Sequence, residues 1–208
     1  MIDGLIKSRI DPLWEAAATP LVRARWTPNQ VTFAGLVLIC LASAAYLWHR
    51  SPVIFGLTLA VSFAFDALDG AVARRRDMRS SAGGYFDAMV DRYQELAVLA
   101  ALAHVHDLWA LALAAFAGSV MTSYAKARTA LEMPIENDNW PDFFERLERV
   151  IFLCLMLIAA GIAPRLGLSA QWVVPGGLAL FAALANLTAL QRARRAARML
   201  RDRDQARK

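Results

Sequence analysis

Four aspartates stand at two helical spacings in one stretch, Asp66 and Asp69 three residues apart and Asp87 and Asp91 four apart. On a helix each pair projects from one face, about one turn apart, and two facing helices would bring all four together. Ionised carboxylates gathered near hydrocarbon are costly through desolvation and mutual repulsion, and divalent cations would cancel that charge. An oxygen-only ligand set suits Mg2+, Mn2+ or Ca2+, and no His or Cys beside it points to zinc. Two metals bridged by shared carboxylates suit phosphoryl transfer. Gly70 would let a ligand approach closely, Gly83-Gly84 would permit tight packing or a bend, and Arg74 can pair with a diphosphate. Acids that only capped helix ends beside Arg74 to Arg79 would not need two shared faces.

The elements that must position these groups are membrane helices. The chain has 208 residues, 58% of them hydrophobic, with a mean hydropathy of +0.37, too apolar for an ordinary soluble domain. Apolar stretches at 31–48, 53–73, 84–104, 108–127, 147–163 and 171–190 are each near the length that crosses about 30 Å of hydrocarbon. The fold expected is an all-α integral membrane protein of six transmembrane helices preceded by an N-terminal amphipathic interfacial helix. In that helix, residues 1–25, Ile2, Leu5, Ile6, Ile10, Leu13, Trp14 and Ala17 fall near one face, and Pro12 and Pro20 bend or break it. The six spans occupy 26–198, and 199–208 form a basic tail. No compact signal peptide is visible at the N-terminus. Cys40 and Cys154 lie inside apolar runs without metal or disulfide spacing and read as core residues.

The net charge of +5 matters less than its placement. All basic residues except Arg50, Arg92 and Arg165 fall before span one, in the connections after spans two and four, or in the C-terminal tail. The positive-inside rule then puts both termini and the aspartates on the cytoplasmic side, with a bacterial plasma membrane as the expected location. His49, His104 and His106 fall on the opposite side, away from the acids. The basic tail reads as a helix end held by anionic headgroups, and no nucleic-acid-binding module is present.

Asp66-x2-Asp69-Gly70-x2-Ala73-Arg74, eight residues, then Gly83-x3-Asp87-x3-Asp91 resembles the signature of the CDP-alcohol phosphotransferases at every fixed position. The amphipathic N-terminal segment, the six-span pattern and Thr27-Pro28-Asn29-Gln30-Val31-Thr32 ahead of span one extend the resemblance over the chain. It implies that Asp66, Asp69, Asp87 and Asp91 hold two Mg2+ ions, with Mn2+ a possible substitute, and that Asp91 is also the catalytic base. It places the CDP group against Asn29, Asp66, Asp69, Gly70, Ala73, Arg74, Gly83 and Asp87. It implies transfer of a phosphatidyl group from CDP-diacylglycerol to a polar alcohol, with release of CMP, by a homodimer.

Ser123-Tyr124-Ala125-Lys126-Ala127-Arg128, Glu145-Arg146-Leu147-Glu148-Arg149 and Gln191-Arg192 lie at the same membrane side. They are similar to the phosphatidylinositol-phosphate synthase branch, which implies that Ser123, Lys126, Arg149 and Arg192 cradle the phosphate of an inositol phosphate acceptor. The first stretch continues Thr129-Ala130 where the branch usually reads Ala-Glu, and Asn137 to Asp142 form an unusual loop, so glycerol 3-phosphate stays open as acceptor. A cation or proton transporter is the rival from another class; its interrupted mid-membrane helices and inverted repeats are not evident.

Overall fold

A computed structural model describes residues 13–135, 140 and 143–206, and the described residues form helices without strands. Residues 13–17 are helical and lead into α1 (Thr19–Arg23). The long helices are α2 (Pro28–His49), α3 (Pro52–Asp66), its continuation α4 (Leu68–Arg75), α5 (Ser81–His106), α6 (Trp109–Glu132), α7 (Arg146–Ile162) and α8 (Val173–Ala206). The first half of the expected interfacial helix, residues 1–12, lies outside the described residues.

Local chemistry sets these boundaries. Pro28 opens α2, and Thr27 and Gln30 cap it reciprocally: the Thr27 hydroxyl accepts from Gln30 N–H and the Gln30 side chain from Thr27 N–H. Pro52 opens α3 directly after the left-handed Arg50 has closed α2. The Ser80 hydroxyl accepts from Gly83 N–H to start α5, and the left-handed Asp107 ends it. The expected second span is divided at Ala67, so Asp66 ends one helix while Asp69 stands in the first turn of the next. The last helix runs through the expected boundary at 198/199 without a break. Its 34 residues reach about 51 Å at 1.5 Å per residue, well beyond the hydrocarbon thickness.

Among the described residues, four helical segments are long and apolar enough to cross a membrane: Pro28–His49, Pro52–Arg75, Arg146–Leu166 and Val173–Ala206. Both α5 and α6 are long enough as well, but α5 carries Asp87, Asp91, Arg92 and Glu95, which lower its hydropathy. In the bundle α6 runs along α8, α3 along α7, and α2 against both α3 and α5. Glycines allow the closest of these approaches. A Cβ at Gly118 would lie 2.7 Å from the Asn186 backbone nitrogen, and Asn186 donates to the Ala114 carbonyl at 2.8 Å across the same seam.

The main core is apolar, with Phe144, Phe152 and Phe181 edge-on or tilted to one another. At the end remote from the aspartates Tyr46 is buried, stacked on Phe55 and joined through its hydroxyl to His106 Nε2 at 2.7 Å. Cys154 is buried as expected, whereas Cys40 is exposed on α2. In a membrane helix an apolar neighbourhood in sequence marks a lipid-facing position as readily as a core one. A smaller cluster joins Trp14, Ala18, Val22 and Trp26 of the N-terminal segment to Leu68, Ala71 and Val72 of α4. It is pinned by Arg75, which donates to the Glu15 carbonyl and the Thr19 hydroxyl, both at 2.7 Å.

Candidate active site

The end of α3 and the second turn of α5 deliver the central carboxylates. Oxygens of Asp66, Asp87 and Asp91 all lie within 4.8 Å of one another. Asp66 is 2% exposed, a depth its neighbour allows because α2 presents Gly35 there. Asp69 does not join that trio. Held by the division of the span at Ala67, its Oδ2 accepts from the Thr32 hydroxyl at 2.6 Å while Oδ1 accepts from Gly70 N–H. The expected group of four is thus a trio with Asp69 beside it, facing the same cleft as Asp87.

Two clefts flank the carboxylates. The first, about 420 Å3, is lined by Asn29, Thr32, Asp69, Gly70, Ala73, Ser80, Gly83, Gly84 and Asp87. It brings together most of the residues expected around the CDP group. Arg74 is not in its lining; it reaches towards Glu15, 3.8 Å away. The glycine pair expected to give tight packing or a bend does otherwise. A Cβ at Gly84 would meet nothing within 4 Å, and one at Gly83 would crowd the Ser80 hydroxyl at 3.1 Å. Gly83 serves the cap, and both leave the cleft wall low.

The second cleft, about 960 Å3, runs between α3, α6, α7 and α8. Ser123, Lys126, Arg149 and Arg192, the expected phosphate cradle, all line it. Arg149 and Arg192 have partners within the protein. Arg149, 2% exposed, donates through Nε to Glu95 at 2.7 Å and through Nη1 to the Phe144 carbonyl at 3.1 Å. Arg192 donates to the Thr122 carbonyl at 2.6 Å and to Glu145 at 2.9 Å. Trp14 from the N-terminal segment, Thr122, Glu145, Arg146 and Glu148 line it too, and apolar residues such as Phe63, Leu155 and Ile158 form the rest.

Sequence reasoning missed the residue that joins the two halves. Arg146, the first residue of α7, places Nη2 2.8 Å from Asp66 Oδ2, 2.6 Å from Asp91 Oδ1 and 2.6 Å from Gln94 Oε1. Gln94 in turn donates to Asp66 Oδ1 at 3.0 Å. Glu95 was missed too; it is 2% exposed and paired with both Arg149 and Arg92. The available signal was periodicity: Asp91 and Glu95 are four apart, so an acid one turn deeper on the aspartate face demands buried cations.

These residues fit a divalent cation. The donors are all oxygen, three carboxylates converge, and Asp91 Oδ1 is buried with an ion-pair approach to Arg146 but no aligned hydrogen bond among the described residues.

The family model for CDP-alcohol phosphatidyltransferase matches residues 25–186. The chain belongs to that family. An archaetidylinositol phosphate synthase of Methanothermobacter thermautotrophicus is 31% identical over 189 residues, covering 90% of this chain and 88% of that protein. A phosphatidylinositol phosphate synthase of Cutibacterium acnes is 31% identical over 188 residues, 82% of this chain and 83% of its own length. A bifunctional IPC transferase and DIPP synthase of Aquifex aeolicus is 34% identical over 130 residues, and there the match spans only 30% of the relative. The fold agrees with the crystal structure of Mycobacterium tuberculosis phosphatidylinositol phosphate synthase with CDP-DAG bound, at a TM-score of 0.75 and 25% identity over 89% of this chain and 94% of that one. The same enzyme in complex with manganese and citrate aligns with a TM-score of 0.77 at 23% identity, over 88% of each chain.

Proposed function

We propose that this member of the CDP-alcohol phosphatidyltransferase family moves the phosphatidyl group of CDP-diacylglycerol to a hydroxyl of an inositol phosphate, releasing CMP. The observation that carries the reading is the position of Asp66, Asp87 and Asp91 between a narrow cleft lined by the signature residues and a wide one lined by Lys126, Arg149 and Arg192. A donor and a phosphorylated acceptor can then meet at one carboxylate cluster. The inositol phosphate synthases among the relatives support this acceptor over glycerol 3-phosphate.

In this reading Asn29, Gly70, Ala73, Gly83 and Asp69 face the nucleotide, and Arg74 reaches the diphosphate from the edge. Asp66, Asp69, Asp87 and Asp91 hold two Mg2+ ions, or Mn2+ in their place. Divalent cations at this position supply charge neutralisation for the diphosphate. Thr32 fixes Asp69 by a hydrogen bond, so that one carboxylate oxygen keeps its direction. Gln94 does the same for Asp66. Asp91 lies behind Arg146, which lines the wide cleft, and accepts the proton of the acceptor hydroxyl as it attacks. Ser123, Lys126, Arg149 and Arg192 hold the acceptor phosphate, and Trp14 with the apolar wall excludes water from that side.

The membrane arrangement that fits is six spans, α2, α3–α4, α5, α6, α7 and α8, with the N-terminal segment along the interface and both termini in the cytoplasm. In that arrangement the carboxylates, at the end of α3 and in the N-terminal half of α5, would face the lipid headgroups, where the donor presents its diphosphate. A homodimer is the assembly that the family resemblance implies.

The test is CMP release from CDP-diacylglycerol by protein purified in detergent with Mg2+, offered inositol 1-phosphate, glycerol 3-phosphate, serine or free inositol. Release confined to inositol 1-phosphate and lost in Asp91→Asn is expected. Release with glycerol 3-phosphate alone would reassign the acceptor, and undiminished turnover in Asp91→Asn would remove the base.

A further inference from the structure

The guanidinium of Arg146 stands in two places at once. Its Nη2 contacts Asp66 Oδ2 and Asp91 Oδ1, two of the three carboxylates that converge, while the side chain lines the wide cleft beside Lys126 and Arg149. One nitrogen serves three acceptors, counting Gln94 Oε1, and the Nε is buried without a hydrogen-bond partner among the described residues. A guanidinium in its favourable mode spreads its five N–H groups over a planar fork. This one is crowded onto a single nitrogen and underused elsewhere.

Its backbone position permits it to turn. Arg146 is the first residue of α7 and its side chain is 30% exposed, unlike that of Arg149, one turn further on, which is sealed against Glu95 and the Phe144 carbonyl. An ion ligated by Asp66 and Asp91 needs the oxygens that Arg146 Nη2 now contacts, and two cations cannot share them at close range without repulsion. The open side for the displaced guanidinium is the wide cleft.

We propose that Arg146 is an internal counter-ion that shares the oxygens of Asp66 and Asp91 with the divalent cation, so that metal loading turns its guanidinium into the wide cleft, where it binds the acceptor's phosphate. This deepens the function proposed above and rests on it. Metal and acceptor phosphate then bind cooperatively: each favours the state in which Arg146 has left the carboxylates, and by linkage each raises the affinity for the other by the same factor. With the ion bound and Arg146 on the acceptor phosphate, Asp91 has lost that cationic neighbour when the acceptor hydroxyl arrives.

The experiment measures Kd for MnCl2, by calorimetry and by the loss of the free-ion electron paramagnetic resonance signal, on wild type, Arg146→Gln and Arg146→Lys. Kd for inositol 1-phosphate is measured with and without Mn2+, and no CDP-lipid is added, so nothing turns over. Expected are Mn2+ binding at least tenfold tighter in R146Q, near-wild-type Mn2+ binding in R146K, and an Mn2+-dependent gain in inositol 1-phosphate affinity that wild type shows and R146Q lacks. Unchanged or weaker Mn2+ binding in R146Q overturns the proposal, as does equal tightening in R146K, which would mean that shape and not charge is responsible. Unaltered thermal unfolding of R146Q certifies its fold; if that variant fails to fold, Arg146→Met takes its place with the same expected outcomes, and unchanged Mn2+ binding there overturns the proposal. A wild-type protein that binds no Mn2+ removes the metal-dependent reading itself, whereas a wild type that binds Mn2+ beside an unchanged R146Q removes only the coupling.

Discussion

Gly35 on α2 lies directly against the carboxylate of Asp66 on α3: a Cβ built on it would stand 2.5 Å from Asp66 Oδ1 and 2.8 Å from Asp66 Cβ. Real side chains do not approach so closely, so the depth of Asp66 is set by the absence of a side chain one helix away.

The replacement Gly35→Ala tests that dependence. The added methyl must push Asp66 off its rotamer or part α2 from α3, an overpacking effect of about 1–3 kcal/mol. Asp66 then leaves the trio, and a fall in Mn2+ affinity and in turnover of at least tenfold is expected, read by calorimetry and CMP release. Wild-type Mn2+ affinity in Gly35→Ala would show that Asp66 is not held by this contact.

Thr32 makes a second prediction. Its hydroxyl donates to Asp69 Oδ2 at 2.6 Å and is itself 2% exposed. Hydrogen bonds to a charged acceptor contribute about 1.5–3 kcal/mol, so Thr32→Val, which keeps the shape, should weaken CDP binding roughly tenfold. Inositol 1-phosphate affinity should stay as in wild type, because Thr32 lines only the narrow cleft. Equal loss at both ligands would mean that the substitution disturbs the bundle as a whole.

How much of this was legible in the sequence follows the range of the interactions. The periodic apolar stretches predicted the starts of the long helices to within a few residues, since burial on one stripe repeats every turn whatever the neighbours are, but not the run of the last helix from 190 to Ala206. The four-residue spacing predicted the shared face of Asp87 and Asp91 for the same reason, whereas the spacing of Asp66 and Asp69 gave no sign of the division at Ala67 that parts them. What depends on two helices meeting was not legible. Gly35 sits in an apolar run with no mark of its task, and Arg146 and Arg149 stand in one Glu-Arg-x-Glu-Arg stretch, yet one reaches the aspartates and the other a buried glutamate. Spacing along α7 separates them by about one turn, but only the way α7, packed along α3, is placed relative to α5 decides which acid each one meets. The residues of the expected phosphate cradle do line one cleft, but Arg149 and Arg192 are steadied by Glu95 and Glu145, partners that no local pattern announced.

Glu95 gives the third prediction. It is buried beside Arg149, whose Nε lies 2.7 Å from its Oε1, and Arg92 approaches its other oxygen at 2.8 Å. Removing one partner of a buried pair strands the other charge and costs about 3–5 kcal/mol. Glu95→Ala should therefore unfold at a distinctly lower temperature in detergent. The apolar double replacement Glu95→Leu with Arg149→Met should recover much of that stability, because neither charge is then left alone. It should not recover acceptor binding, since Arg149 would be gone from the cleft. A double variant with full inositol 1-phosphate affinity would confine Arg149 to a structural role.

The fourth prediction concerns the N-terminal segment. Trp14 lines the wide cleft although it lies 132 positions before Arg146 in the numbering, and it is held there through Ala18 and Val22 against α4 and through Arg75, which binds the Glu15 carbonyl and the Thr19 hydroxyl. The same α4 carries Gly70 and Ala73 on the narrow cleft, so one short helix supports the wall of the first cleft and the cover of the second. Loosening the cover should affect the acceptor more than the donor. Arg75→Gln removes the two charged hydrogen bonds but leaves the cleft-lining residues in place, so a three- to tenfold rise in KM for inositol 1-phosphate, with KM for CDP-diacylglycerol unchanged, is expected. Trp14→Ala should reproduce that rise and add CMP release without acceptor, because water then reaches the carboxylates from the uncovered side. If Trp14→Ala alters the donor KM alone, the segment covers the nucleotide cleft instead, and the assignment of the two clefts must be exchanged.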